Sequence, residues 1–342
     1  EIEGFHRLGV YERRDLSSLP PGASVLNSKI VMVNKFDGPK FVKRKSRWVI
    51  VGTGSEPAVQ YDPFGCSTSP VARPSLLAML AFSAHFGFAM RQLDVTQAFL
   101  QSFLPSPNVF VRFPKGYDAP LGDDGRPQVA RAIRGWYGLR DAPAAWDKLL
   151  STFMVHACGF TRSKSDPSVY FKRDPKVCPT KRNPGAGLTI VAFFVDDALI
   201  VSWKKSVADA VVKTIGKRFP ITDLGKPKYL VGARISDRLD NAGRRCISMD
   251  MQSYIAETLN ELNMSDSNPT ASPCSTGSAL EMHAKGEADR DEMDKKPVRS
   301  AIGRLMWIAN AGRPDISAAV SAVASAAHDP SPACWMAIKR IL

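Results

Sequence analysis

Cysteine and histidine are scarce in this sequence of 342 residues, and neither is clustered. The six cysteines are scattered from Cys66 to Cys334 without a C-x-x-C pair, and the five histidines include no H-x-x-x-H spacing. Zinc sites and disulfide frameworks need closely spaced ligands or paired cysteines, so the sequence disfavours both. We expect reduced thiols and an intracellular protein, cytoplasmic or nuclear.

The sequence also lacks a hydrophobic run long enough to span a bilayer. Its two most apolar windows, 76–90 and 188–203, are shorter than the roughly 20 residues that a spanning helix requires. Neither window is purely apolar, and no secretory signal is present, so we predict no membrane segment. The chain begins with Glu1 and residues 335–342 resemble an unfinished helix, so we expect a fragment or a processed piece of a longer protein.

Acidic residues are few relative to basic ones. The chain has 46 Lys and Arg against 33 Asp and Glu, which gives a formal net charge of +13. An excess of this size favours a polyanionic partner, either nucleic acid or an anionic membrane surface.

Two adjacent carboxylates interrupt the apolar segment 188–203, which reads L-T-I-V-A-F-F-V-D-D-A-L-I-V-S-W. The apolar runs on either side have the length of buried strands, which predicts a hairpin with Asp196 and Asp197 at its tip. Burying unpaired carboxylates is costly, so the two must lie in water at the turn or face cations. A solvated Asp-Asp turn and a metal site both remain open at this point.

A third carboxylate, Asp94, ends a strand predicted at 88–95. Three carboxylates from two strand ends can hold two divalent ions about 3.5–4 Å apart, which is an arrangement used in phosphoryl transfer. The order of helices and strands around these acids predicts an α+β fold, with an antiparallel sheet backed by helices.

Five ordered sequence blocks carry a resemblance to a known family. They are 93–100 (L-D-V-T-Q-A-F-L), 136–146 (W-Y-G-L-R-D-A-P-A-A-W), 194–197 (F-V-D-D), 223–232 (D-L-G-K-P-K-Y-L-V-G) and 303–316 (G-R-L-M-W-I-A-N-A-G-R-P-D-I). The chain resembles the reverse transcriptase region of copia-type LTR retrotransposon Pol polyproteins. The resemblance implies a right-hand polymerase, with fingers and palm in 1–264, a linker in 265–297 and a truncated helical thumb or connection in 298–342.

The activity implied by the resemblance is RNA-directed DNA synthesis. A primer 3′-hydroxyl attacks the α-phosphate of a deoxynucleotide with the help of two Mg²⁺ ions, or Mn²⁺ as an alternative. The implied partners are an RNA template, a DNA or RNA primer, deoxynucleoside triphosphates, and neighbouring RNase H and integrase segments in the parent polyprotein. Two alternatives stay open: a decayed or repurposed module that binds nucleic acid without catalysis, and a different two-metal enzyme such as a nuclease or nucleotide cyclase.

The resemblance also assigns roles to individual residues. The catalytic and metal-facing residues are Asp94, Asp196 and Asp197, with Val95 as a further metal-facing position. The residues implied to bind the nucleotide are Lys45, Arg47, Val95, Phe99, Tyr137 and Gly138. The residues implied to bind template or primer are Lys43, Arg44, Arg140, Tyr229, Gly232, Arg304 and Trp307.

Several of these residues have simpler explanations. The basic hairpin predicted around Asp37-Gly38, with arms 25–36 and 41–51, is either an edge protected by lysines or the fingers hairpin. Phe99 is either a gate that excludes the ribose 2′-hydroxyl or a core phenylalanine, and Trp146 is explained by core packing. Tyr229 and Gly232 fall in a second predicted hairpin, 228–236 and 244–249, which resembles the primer grip.

Overall fold

The computed structural model describes residues 2–37, 40–51, 66, 68–105, 108–181, 183–274 and 282–342. It divides the chain into two compact units, Glu1–Lys226 and Pro227–Leu342. No helix within these ranges is both long enough and apolar enough to cross a membrane.

Among its described residues, the first unit combines strands with four α-helices. Its strands are β1 (Tyr11–Arg14), β2 (Val25–Leu26), β3 (Ser28–Asp37), β4 (Lys40–Ile50), β5 (Ala89–Val95), β6 (Phe110–Arg112), β7 (Val129–Ala132), β8 (Thr161–Arg162), β9 (Val169–Arg173), β10 (Leu188–Phe194), β11 (Asp197–Ser202) and β12 (Ile221–Gly225). Its helices are α1 (Ile2–Leu8), α2 (Arg73–Phe86), α3 (Ala142–Thr152) and α4 (Lys205–Arg218), with short 3-10 turns at Leu16–Ser18 and Ala98–Gln101 and a π-helical turn at Phe153–Ala157.

In the described part of this unit, the main sheet has six antiparallel strands in the order β12-β5-β11-β10-β9-β8. Apolar side chains from one face of the sheet form a core with α3 and α4, to which Trp146, Val212 and Ile215 contribute. Because side chains alternate along a strand, Leu93 joins this core while Asp94 lies on the opposite face. The predicted α+β class, an antiparallel sheet backed by helices, is confirmed.

A second core lies under the β3–β4 hairpin. The two strands pair without a gap from Ser28↔Ile50 to Asp37↔Lys40, apart from a bulge at Lys35/Phe36. The predicted hairpin is therefore confirmed, although Gly38 lies outside the described residues. Trp48 and Trp136 are fully buried here and meet edge to face, with ring centroids 4.6 Å apart. A small sheet of order β1-β7-β6-β2 completes this region.

Among its described residues, the second unit has one three-stranded antiparallel sheet, five α-helices and a short 3-10 turn at Pro314–Ile316. The elements are β13 (Tyr229–Leu230), β14 (Ala233–Leu239), β15 (Arg245–Asp250), α5 (Gln252–Glu261), α6 (Glu287–Met293), α7 (Val298–Ala311), α8 (Ser317–Ser325) and α9 (Pro332–Ile341). Apolar side chains of α7, α8 and α9 form its main core. The helices predicted at 298–311, 315–327 and 332–342 are thus confirmed.

The two compact units do not share the boundaries of the predicted domains, and the assignment of fingers, palm and thumb stays a prediction. The division falls after Lys226, so the hairpin that resembles the primer grip lies in the second unit. The predicted linker, 265–297, also contains α6, and Met282 and Met293 from this stretch are buried in the helical core. A helix that buries few side chains keeps a polar composition, and for that reason the segment resembles a linker.

Candidate active site

The register of the central strands brings two of the predicted carboxylates together. In the ladder between β5 and β11, Asp94 is paired directly with Asp197, and both residues are half-buried. Directly opposed residues in an antiparallel pair have Cβ atoms about 4.5–5.5 Å apart, and like charges at such positions repel. A divalent cation bound by this pair would reduce that repulsion.

Asp196 lies in the tight turn that joins β10 to β11. Phe194 pairs with Asp197, so Val195 and Asp196 form a two-residue loop. Val195 has φ of 62°, a positive value at the position where type II′ hairpin turns usually have glycine. A β-branched residue held in this conformation costs roughly 1–3 kcal/mol, so the surrounding contacts must stabilise the turn.

Two hydrogen bonds hold the carbonyl groups of this turn. The indole N–H of Trp146 donates to the Val195 carbonyl oxygen at 2.8 Å. The backbone N–H of Val95 donates to the Asp196 carbonyl oxygen, also at 2.8 Å. The turn is therefore connected to helix α3 on one side and to the end of β5, next to Asp94, on the other.

The carboxylates are suitable ligands for a hard cation, but they are not already arranged as a complete metal-binding site. Within the part of the chain that the structure describes, no three His, Cys, Asp or Glu side chains are grouped so as to hold a metal ion. Asp94 and Asp197 are paired directly in the sheet, whereas Asp196 lies in the turn, outside the strand pairing. Carboxylate oxygens are the ligands that Mg²⁺ prefers, so the donor types fit that ion. Val95 is buried in the helix-packed core, which leaves only its backbone for contact with a metal.

Phe99 lies beside the β10–β11 turn, which consists of Val195 and Asp196. It belongs to the 3-10 turn that follows β5, it is half-buried, and its ring meets Tyr137 edge to face with centroids 6.0 Å apart. Phe99, Trp146 and Val195 also border one small cavity of about 60 Å³. The structure therefore brings Phe99 close to the Asp hairpin and places Tyr137, also predicted to bind the nucleotide, against the Phe99 ring.

Gly138 is required for the approach of two backbone segments. Its φ is +94°, and a Cβ at this position would overlap the Ile50 carbonyl oxygen. Ile50 in turn donates its backbone N–H to the Tyr137 carbonyl oxygen at 2.8 Å. Gly138 therefore lies against the end of the basic hairpin, and its role in binding the nucleotide stays a prediction.

Strand alternation sorts the basic residues of β4 onto two faces. Lys43, Lys45 and Arg47 share one face, whereas Arg44 lies on the other face together with the buried Trp48. Lys43 and Arg47 are exposed. The sequence interpretation treated Lys43 and Arg44 as equivalent, and the structure separates them. Arg140 is exposed on the loop before α3.

The remaining predicted residues lie in the second unit. Tyr229 is 55% exposed, and Gly232 follows it in a two-residue turn where Val231 and Gly232 both have positive φ. Gly232 packs against the ring of Trp307, so these two residues are neighbours. Arg304 forms an ion pair with Glu261 and lies over the ring of Tyr254, with 5.5 Å to its centroid. A role for these residues in binding nucleic acid stays a prediction.

Sequence reasoning missed two residues that hold the carboxylate-bearing elements in place. Trp146 is buried as expected, but no sequence signal indicates which group its N–H contacts. Arg91, three residues before Asp94, bonds to Asp209 of α4 at 2.7 Å and also to Asp223 of β12. The presence of an arginine in a mostly buried strand, three residues before Asp94, was the sequence signal for this network.

Comparisons with known proteins agree with the motif blocks. A family model described as reverse transcriptase (RNA-dependent DNA polymerase) matches residues 11–276. The chain is 29% identical to the retrovirus-related Pol polyprotein from transposon TNT 1-94 of Nicotiana tabacum, over 100% of this chain and 24% of that protein. It is 28% identical to the retrovirus-related Pol polyprotein from transposon RE2 of Arabidopsis thaliana, over 94% of this chain and 20% of that protein. It thus spans about a quarter or less of these relatives.

A shorter relative and a solved structure also match. A putative transposon Ty5-1 protein of Saccharomyces cerevisiae is 28% identical over 73% of this chain and 74% of that protein. A structure of the foamy viral protease-reverse transcriptase in complex with double-stranded DNA has a TM-score of 0.47 and 12% identity, and the match covers 99% of this chain and 46% of that one.

Proposed function

This chain belongs to the reverse transcriptase (RNA-dependent DNA polymerase) family, and we propose that it extends a primer 3′ end with deoxynucleotides on an RNA template. The observation that carries the proposed catalytic centre is the strand register that pairs Asp94 with Asp197, next to Asp196 in the turn. The net charge of +13 suits a polyanionic template and primer.

In the proposed chemistry, different residues of the first unit bind the metal ions and the triphosphate of the nucleotide. Asp94, Asp196 and Asp197 would hold two Mg²⁺ or Mn²⁺ ions, which when bound activate the attacking hydroxyl and stabilise the leaving pyrophosphate. Lys45 and Arg47, on one face of the basic hairpin, would neutralise the triphosphate of the incoming nucleotide.

Primer extension by the purified chain tests this proposal. A labelled primer annealed to an RNA template should lengthen in the presence of Mg²⁺ and the four deoxynucleotides, and a matched DNA template serves as comparison. Binding without extension would support a non-catalytic module, and shortening of the primer or template would support a nuclease. Consumption of nucleotides without any primer would support a cyclase.

The basic hairpin provides a prediction about salt dependence. Because Lys43 lies on the face with Lys45 and Arg47, Lys43→Ala should remove a phosphate contact and reduce the slope of log affinity against log salt by about 0.7–0.9. Affinity for template and primer would be measured by fluorescence anisotropy at several salt concentrations. Arg44→Ala, which removes a charge from the opposite face, is the matched control and should change the slope less. Equal slopes for the wild type and both variants would show that Lys43 and Arg44 are solvated residues of an edge strand that contact no phosphate.

Phe99 provides a prediction about sugar choice. Its ring lies beside the β10–β11 turn, where a rigid aromatic edge would clash with the 2′-hydroxyl of a ribonucleotide. Phe99→Val should reduce discrimination against ribonucleotides by about 10–100-fold, which is the range for shape-based rejection of one small group. The measurement compares kcat/KM for a deoxynucleotide and the matching ribonucleotide.

A stability control separates the gate from a core residue. Phe153 is also half-buried and packs against the core that Phe99 contacts, so Phe153→Val should lower the melting temperature without changing sugar choice. Unaltered discrimination by Phe99→Val, together with a large loss of stability, would show that Phe99 is only a core residue.

The parent protein is the last part of the proposal. The plant relatives are Pol polyproteins of which this chain matches 24% and 20%. We therefore propose that the chain acts beside further Pol segments, such as RNase H and integrase, within a longer polyprotein.

A further inference from the structure

Trp146 donates a hydrogen bond to the backbone of the β10–β11 turn, Val195 and Asp196, which we call the catalytic turn because it carries a proposed catalytic residue. Trp146 lies on α3, its side chain is 2% exposed, and its indole N–H donates to the Val195 carbonyl oxygen at 2.8 Å. Val195 is the residue immediately before Asp196. A buried donor and a backbone acceptor therefore meet one residue before Asp196 and two residues before Asp197, the two proposed metal-binding carboxylates of this hairpin.

This hydrogen bond stabilises the turn at Val195, the residue whose backbone conformation is strained. Val195 holds a positive φ that valine disfavours, and the hairpin contains only one further loop residue, Asp196. The Asp196 carbonyl is held by the N–H of Val95, next to Asp94. With both carbonyls bound, the peptides on the two sides of Asp196 are held, the first by α3 and the second by the end of β5.

We infer that Trp146 is a positioning residue for the catalytic turn. Its N–H fixes the Val195 carbonyl, and through it the placement of Asp196 and Asp197 relative to Asp94. The catalytic consequence rests on the proposed polymerase function, whereas the effect on the turn does not. Residues that orient metal ligands in this way typically change metal affinity or activity by about 10–100-fold when they are replaced.

The competing interpretation is that only the ring of Trp146 matters, as part of the core. The ring meets Phe219 edge to face, with centroids 5.2 Å apart, and Phe219 is itself 1% exposed. Two substitutions separate these interpretations. Trp146→Phe keeps an aromatic ring in the core and removes the N–H, whereas Phe219→Leu reduces packing on the same ring and leaves the N–H in place.

The first readout is single-turnover primer extension by the wild-type chain and both variants. Trp146→Phe should lower the maximal rate by about 10–100-fold, with an unchanged half-saturating concentration of template–primer and a raised requirement for Mg²⁺. Phe219→Leu should extend primers at nearly the wild-type rate, although its melting temperature falls. Equal rate losses in the two variants would overturn the inference, because packing alone would then explain them.

The second readout is independent of activity. Hydrogen–deuterium exchange of a peptide covering residues 191–200 should be about tenfold faster in Trp146→Phe, as expected when roughly one hydrogen bond is lost, and near wild type in Phe219→Leu. Unchanged exchange in Trp146→Phe, or equal acceleration in both variants, would overturn the inference. If the wild-type chain extends no primer, the proposed function fails, and the exchange comparison still decides whether Trp146 holds the turn.

Discussion

Asp196→Asn should lower primer extension by at least ~10²–10³-fold while the fold stays intact, because a charge preorganised for the transition state is lost. Asparagine has nearly the same size as aspartate. The bond from Val95 to residue 196 also uses the backbone carbonyl, so the substitution does not remove it. Only the negative charge that would bind a metal ion disappears. The rate is measured under single-turnover conditions, and the fold is checked by circular dichroism and thermal melting.

A matched aspartate in the same unit controls for the general effect of removing a charge. Asp174 is also half-buried, and its carboxylate accepts the backbone N–H of Lys176 at 3.0 Å in a turn after β9. Asp174→Asn should extend primers at nearly the wild-type rate. Near wild-type extension by Asp196→Asn would remove this residue from the catalytic centre.

Gly138→Ala should destabilise the first unit by about 3 kcal/mol or more, since it combines backbone strain with a clash. The new methyl group would overlap the Ile50 carbonyl oxygen, and φ of +94° disfavours any side chain. Relief of the clash would require β4 to move away from the segment that carries Tyr137. Urea unfolding followed by tryptophan fluorescence measures the loss, because the buried Trp48 and Trp136 report on this core.

Gly125 provides the control for this prediction. It also has a positive φ, +74°, but a Cβ added there meets nothing within 4 Å. Gly125→Ala should therefore cost only the conformational penalty of roughly 1–2 kcal/mol. Equal losses for the two substitutions would show that the approach of Gly138 to Ile50 contributes nothing.

The sequence predicted the elements that carry the carboxylates because their signals are local. Nearly uninterrupted apolar runs on both sides of Asp196 and Asp197 indicated two strands and a tip, and β10 and β11 confirm them. The strand that ends near Asp94 was found in the same way. Local sequence signals could not predict the pairing of Asp94 with Asp197, because that pairing depends on the register between two strands about a hundred residues apart.

Other features were missed because composition and spacing do not show partners. The N–H of Trp146 could meet any buried acceptor, and only the packing of α3 against the β10–β11 turn identifies it. The segment around α6 has a polar composition, which hid the burial of Met293. The separation of Lys43 from Arg44, in contrast, follows from strand alternation and could have been predicted once the strand was assigned.

Incorporation of one templated deoxynucleotide tests the central claim most directly. The wild-type chain and Asp94→Asn would each be mixed with Mg²⁺, an RNA template, an annealed primer and a single deoxynucleotide, and the product would be followed over one turnover. The proposed mechanism predicts that the wild type adds only the nucleotide complementary to the template and that Asp94→Asn loses at least ~10²-fold in rate. Equal rates for the two proteins, or addition that ignores the template base, would contradict it.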